Sequence, residues 1–248
     1  MGRPPEPRVL AVVPARGGSK GLPGKNLRTL AGLTLIEHAL RFAAMCPQIE
    51  RTVVSTDSEE IAAAARAAGG EVPFIRPPEL AYDETPMWPV LRHALAELDP
   101  VGERYDLLAL IDPTAPAREP RDLERALELL AGDPDADGAV TVAEPSFSPV
   151  WQCVVERDGR IEHLIPEGAG HGRRQDVRRV LYICGVLYVW RSAFVRGEGE
   201  SWFHGRLIPL EVPRERAVVV DEARDLALLE ALVAGKLVRF DWLDETST

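Results

Sequence analysis

Val9-Leu-Ala-Val-Val-Pro-Ala-Arg-Gly-Gly-Ser-Lys-Gly-Leu-Pro-Gly-Lys-Asn26 is an apolar run that passes directly into a glycine-rich, basic loop. Val9 to Val13 reads as a buried strand, and Thr34 then caps a helical pattern from Leu35 to Met45, so the chain opens as strand, loop, helix. Glycines let backbone N–H groups approach an anion, and cationic side chains supply counter-charge. No carboxylate lies between Glu6 and Glu37, while Arg8, Arg16, Lys20, Lys25 and Arg28 all fall there, in a chain whose formal net charge is −10. Against that background the loop outlines a cradle for a polyphosphate, the alternative being a solvated basic loop.

The alternation continues outward. Arg51 to Ser55 reads as a strand, Asp57 or Ser58 caps a helix through Ala68, Gly69-Gly70 stops it, and Val72 to Ile75 is a third strand. A helix from about Pro86 to Leu98, a strand Asp106 to Asp112, a helix from Pro120 to Ala131 and a strand Gly138 to Val142 follow. Strands separated by helices imply α/β architecture: a mixed, mostly parallel sheet flanked by helices. After Pro149 the pattern changes to Trp151 to Glu156, Arg160 to Leu164 and Val180 to Trp190, with a hairpin turn at Asp158-Gly159, which predicts a small antiparallel excursion over about 149–216. A last strand, Ala217 to Val220, runs into Asp221 and the helix Glu222 to Ala234, ended by Gly235. No repeat or low-complexity linker interrupts residues 1–248, which are expected to form a single domain.

Composition narrows the function. The acidic balance argues against general nucleic-acid or anionic-membrane binding, and the basic cluster His171 to Arg179 has no aromatic platform beside it. No apolar run is long enough to span a bilayer. Cys46, Cys153 and Cys184 are too few and too far apart for a disulfide framework or a zinc site, which fits a reducing cytoplasm. A Walker loop would need Gly where Ser19 stands and Ser or Thr where Asn26 stands; a dinucleotide fingerprint would need G-x-G-x-x-G after the first strand.

Pro14-Ala-Arg-Gly-Gly-Ser-Lys-Gly-Leu-Pro-Gly-Lys-Asn26 resembles the N-terminal signature of the acylneuraminate cytidylyltransferases. The likeness extends through Val54-Ser-Thr-Asp-Ser-Glu-Glu-Ile61, Arg76-Pro-Pro-Glu-Leu-Ala-Tyr-Asp83, Pro113-Thr-Ala-Pro-Ala-Arg118, Arg174-Gln175, Gly185, Tyr188, Asp221 and Asp225. It implies a nucleotidyltransferase (glycosyltransferase-A-like) fold and transfer of CMP from CTP to an acidic sugar with release of pyrophosphate, assisted by Mg2+, in a protein that is commonly a homodimer. By the same resemblance Arg16 and Lys25 would hold the triphosphate, and Ser19 would line it with the backbone of Ala15, Gly17 and Gly18. Asn26, Ser55 and Arg76 would meet the nucleotide, and Arg174-Gln175 the acid group of the sugar. Each has a plainer reading: solvated charge for Lys20 and Arg28, helix capping for the Ser55-Thr-Asp57 segment, an ion pair with Glu79 or Asp83 for Arg76.

The metal site departs from the family. The usual Asp-Ile-Asp is Val219-Val220-Asp221, which removes one carboxylate, and Asp112 stands where the family has Gln before Pro-Thr-Ser-Pro. Asp112 and Asp221 each end an expected strand, so they are expected to bind Mg2+ together; the plainer readings are a turn residue and a helix cap. Asp225, one helical turn on, is expected to support Asp221 or the helix start. Cys184, Ala115 and Ala117 also differ from the family near the sugar end, which leaves sialic, legionaminic and pseudaminic acids, or a phosphonate, open as acceptors. A catalytically silent nucleotide-binding homologue is the alternative from outside enzymology.

Overall fold

A computed structural model describes residues 6–18, 21–170, 173, 176–197, 199 and 201–244. The opening strand β1 (Val9–Pro14) leads into the glycine-rich loop, then a short hairpin of β2 (Thr29–Leu30) and β3 (Leu33–Thr34), and helix α1 (Leu35–Ala44). Thr34 caps α1 through a reciprocal pair of bonds with Glu37, as the Thr-x-x-Glu spacing requires. Next come β4 (Ile49–Ser55), α2 (Glu59–Ala67), α3 (Met87–Leu98), β5 (Leu107–Leu110), α4 (Pro120–Gly132) and β6 (Gly138–Ala143). The second half holds α5 (Pro149–Gln152), β7 (Val154–Arg157), β8 (Arg160–His163), β9 (Tyr182–Arg191), α6 (Ser192–Arg196), β10 (Leu207–Glu211), α7 (Ala223–Ala234) and α8 (Asp241–Asp244).

The six-stranded sheet has the order β10-β6-β9-β5-β1-β4. Its pairs are parallel except those of β9, which runs antiparallel to both neighbours. Because successive side chains of a strand point to opposite faces, β1 alone shows that both faces are covered. Val9, Ala11 and Val13 join one core with Leu35, Ile36, Leu123 and Leu229, whereas Leu10 and Val12 join another with Trp88, Leu91 and Leu95. The C-terminal α8 is pinned by His38, whose Nε2 donates to Leu30 O (2.8 Å) and whose Nδ1 accepts from Trp242 Nε1 (3.0 Å).

Several expected elements are corrected. Val72 to Ile75 is not a strand; it touches the sheet through isolated bridges, Val53 to Glu71 and Thr56 to Ile75. Pro149–Gln152, capped by Ser148, is a short helix, so the expected strand from Trp151 begins at Val154 instead. Ala217 to Val220 is not a sheet strand either: it follows a one-turn helix, Arg214–Arg216, and meets the protein through Val220 N donating to Thr114 O (2.7 Å). Strand β10 carries Pro209, which argues against a central strand, and it lies at the sheet edge where a missing N–H is tolerated. Within 149–216, β9 and β10 belong to the main sheet, and the β7–β8 hairpin, turned by Asp158 and Gly159 at positive φ, forms a sheet of its own.

The sheet positions the site. Pro14 pairs with Ser55, Val12 pairs with Leu110, and Ile111 N reaches Val12 O, so β1, β4 and β5 release their loops at one carboxyl edge. Open α/β sheets bind ligands at that edge.

Candidate active site

The loop after β1 is shaped from within. Ala15 N extends the ladder to Ser55 O (3.0 Å), and Gly17 N donates to Asp57 Oδ1 (3.1 Å). Gly24 takes φ +65° to start the turn Lys25–Leu27, a conformation that favours glycine. Asn26 is buried and donates from Nδ2 to Arg16 O (3.1 Å), stapling the two ends of the loop. At Gly21 a Cβ would stand 2.6 Å from Asp221 O, so only glycine lets the loop pass this close to the Asp221 backbone. Ser19 and Lys20 lie outside the described residues.

This loop forms one wall of a cleft of about 540 Å3 that Arg16, Lys25, Asn26, Arg76, Asp112 and Asp221 all line. Six of the residues read from the sequence as site residues therefore share one concavity. Lys25 Nζ donates to Asp221 Oδ1 (2.8 Å), and Arg16 pairs with Asp83. Asp225 Oδ2 accepts from Asp221 N (3.0 Å) and Glu222 N (2.8 Å), which fixes the backbone from which Asp221 projects and caps α7. Asp221 itself is exposed, and Glu222, not Asp221, occupies the capping position.

The opposite wall is the turn after β5. Thr114 donates to Asp112 Oδ1 from both N (2.9 Å) and Oγ1 (2.8 Å). Beneath that turn lies Arg118, fully buried, and beneath the Asp221 segment Arg216 forms a buried forked pair with Asp122 at the start of α4. The Val220–Thr114 bond joins the two segments. Asp112 and Asp221 thus reach the same cleft, although Asp221 does so from a segment outside the sheet.

Ser55 and Arg76 form a layer. Ser55 is wholly buried and its Oγ accepts from Arg76 Nε (3.2 Å); Arg76 also bonds Ser55 O and Leu80 O, and reaches the cleft. Burial lowers the Arg76 guanidinium below its ordinary range. Among the described residues its hydrogen bonds go to Ser55 and Leu80, whereas the plainer reading had an ion pair with Glu79 or Asp83. Ser58 caps α2, leaving Asp57 to hold the glycine loop.

Arg174 and Gln175 lie outside the described residues. Their neighbours make surface ion pairs: Arg173 with Asp176 (2.9 Å), Arg178 with Glu167 (3.2 Å) and Arg179 with Glu211 (2.7 Å). The sequence reading did not single out Thr114, Met87 or Gly21, which line the cleft, nor the role of Arg118. Thr114 carried a signal, since Asp-x-Thr is a local turn pattern; Gly21 stood within the glycine-rich signature, but nothing local foretold its approach to Asp221, and Met87 carried no signal.

No group of three or more His, Cys, Asp or Glu side chains that could hold a metal is gathered among the described residues. Three carboxylates line the cleft, Asp112, Asp221 and Glu222; Glu222 caps α7, which leaves Asp112 and Asp221 as the hard donors that fit a divalent cation completing its shell with phosphate oxygens and water. Among the described residues no helix is long and apolar enough to cross a membrane.

The family model described as Cytidylyltransferase matches residues 10–127, which include the glycine loop and the Asp112 turn. Over 239 residues the chain is 38% identical to the 3-deoxy-manno-octulosonate cytidylyltransferase of Bradyrhizobium sp. (strain ORS 278), covering 92% of this chain and 86% of that protein. It is 36% identical over 154 residues to the CMP-N,N'-diacetyllegionaminic acid synthase of Legionella pneumophila, covering 62% and 66%. The chain spans about half the length of several N-acylneuraminate cytidylyltransferases it also matches. In fold it is similar to CMP:2-keto-3-deoxy-manno-octonic acid synthetase complexed with CTP, with TM-score 0.70 at 22% identity over 92% of this chain and 99% of that one. With an α/β sheet of the nucleotidyltransferase type and a charged cleft at its carboxyl edge, the chain belongs to the cytidylyltransferase family of enzymes.

Proposed function

We propose that the protein transfers CMP from CTP to an acidic sugar of the nonulosonic class, releasing pyrophosphate. The observation that carries this reading is the meeting, in one cleft, of Arg16 and Lys25 with Asp112 and Asp221. The acceptor's hydroxyl must displace pyrophosphate in line at the α-phosphorus, so the protein's task is positioning and neutralisation of charge. Arg16 and Lys25 hold the triphosphate, with Ser19 and the backbone of Ala15, Gly17 and Gly18 beside it. Asn26 and the Ser55–Arg76 layer meet the nucleoside, and Arg174 with Gln175 takes the acceptor's carboxylate, for which a guanidinium fork is suited.

In the free protein the cleft's charges neutralise one another. The Lys25–Asp221 pair involves a carboxylate that is 69% exposed, and such pairs are worth about 0–1 kcal/mol. A charge-assisted bond from Lys25 to phosphate is worth about 1.5–3 kcal/mol, so the triphosphate wins the exchange and frees Asp221. Asp112 and Asp221 would then hold Mg2+, Asp112 making up for the carboxylate absent at Val219. Bound there, Mg2+ would supply charge neutralisation on the triphosphate.

A second acceptor reading, 3-deoxy-manno-octulosonate, is favoured by the length and identity of the match to that cytidylyltransferase. Both acceptors are acids lacking phosphate, so they share the carboxylate requirement. The exposed apolar side chains Val154, Ile161 and Leu164 of the β7–β8 region support a second copy of the chain as partner, and free cysteines agree with a cytoplasmic setting. The test is Asp112→Asn: pyrophosphate release with saturating CTP should fall at least 1,000-fold, on the order of 4 kcal/mol of barrier, and near-native turnover would refute the metal assignment.

A further inference from the structure

Arg118 is 1% exposed, and its hydrogen bonds among the described residues all go to main-chain carbonyls. Nη2 donates to Asp112 O and Ala115 O, and Nε donates to Val186 O (3.0 Å) on β9. Nη1 has no hydrogen-bond partner there, and the guanidinium lies 5.4 Å from the Phe42 ring centroid. Burial pulls its pKa down to about 10, so it remains charged at neutral pH. A buried cation without a forked carboxylate partner is costly, and packing alone would be served by an apolar side chain of similar volume.

The positions it grips explain its presence. Asp112 O and Ala115 O are the two ends of the turn that presents the Asp112 carboxylate. Val186 follows Gly185, whose φ of +71° bends β9 beside Val219. The same turn offers Thr114 O to Val220 N, one residue before Asp221. One guanidinium therefore ties the Asp112 turn to the sheet, and the turn in its place holds the segment carrying Asp221. We infer that Arg118 is a positioning residue that sets the spacing of the Asp112 and Asp221 carboxylates toward the divalent cation. This rests on the metal reading of those two carboxylates.

The test is Arg118→Lys in the full chain, with Arg118→Met run in parallel as a second foldable variant and circular dichroism to check both. Lysine keeps the charge but cannot grip both carbonyls of the turn together with Val186. Mn2+ binding, followed by electron paramagnetic resonance in the presence of a non-hydrolysable CTP analogue, should weaken about 10–100-fold, the range seen when the support of a metal ligand is removed. The Mg2+ concentration for half-maximal turnover should rise similarly, while binding of the analogue in EDTA changes less than threefold. In an Asp112→Asn background the Arg118 substitution should add little further loss.

A folded Arg118→Lys with Mn2+ affinity within twofold of the unsubstituted protein would overturn the inference, as would a full additional loss in the Asp112→Asn background. If Asp112→Asn itself leaves Mn2+ affinity unchanged, the metal reading fails; if Asp112→Asn loses Mn2+ and neither Arg118 variant does, only the inference about Arg118 fails.

Discussion

On one wall of the cleft, Arg16 and Lys25 meet Asp83 and Asp221 in pairs that a ligand can take apart; on the other, Asp112 sits on a turn gripped from below by a fully buried Arg118. The difference suits what each wall would do in the proposed transfer. Groups that bind an incoming polyanion have to give up their resting partners, and ion pairs that stay partly open to water are weak enough to allow it. Carboxylates that share a cation must keep their separation, which calls for hydrogen bonds that water cannot reach.

Substitutions can separate the two designs. Lys25→Met should remove a phosphate contact and lower kcat/KM for CTP about 10–100-fold, from the ~1.5–3 kcal/mol of a charge-assisted bond. Thermal unfolding should move by less than about 2 °C, because the carboxylate end of the pair it breaks is 69% exposed. A large loss of stability in Lys25→Met would mean that the loop wall is braced like its opposite.

Asp99 offers the reverse case far from the cleft. Its carboxylate is 4% exposed and accepts from the amides of Gly102, Glu103, Arg104 and Tyr105 and from Arg196. Burial pushes its pKa up, but the amide bonds and the Arg196 charge outweigh burial and hold it below the usual carboxylate range. A depressed pKa gives stability that is present above the unfolded value and is lost as pH falls through the folded value. Asp99→Asn should therefore cost about 1–3 kcal/mol near neutral pH and flatten the fall in stability below about pH 4, with kcat/KM changed less than twofold. A catalytic defect at constant fold would show that bracing far from the cleft also reaches the site.

Much of this contrast could be read from the sequence, but unevenly. The loop wall is contiguous in the chain, so its glycines, Arg16, Lys25 and Asn26 announced themselves together. The carboxylate wall is assembled from the Asp112 to Arg118 stretch, Val186, and Val220 with Asp221, three segments far apart in sequence, and only Asp112 and Asp221 were legible, as acids following apolar runs. Arg118 gave no sign of burial, since an arginine before a helix start usually faces water. The Ala217 to Val220 run has the composition of a strand, yet it is held by isolated bonds, Val220 N to Thr114 O and Tyr182 Oη to Ala217 O, rather than by a ladder. Strand β10 was hidden by Pro209, and its place at the edge explains how the sheet accepts it.

Pyrophosphate release from CTP and Mg2+ with a panel of acceptors tests the account most directly. Acids without phosphate, nonulosonic acids or 3-deoxy-manno-octulosonate, should support turnover, and their esters or amides, which lack the carboxylate charge, should not. Turnover only with phosphorylated acceptors, or CTP binding with no release across the whole panel, would contradict it.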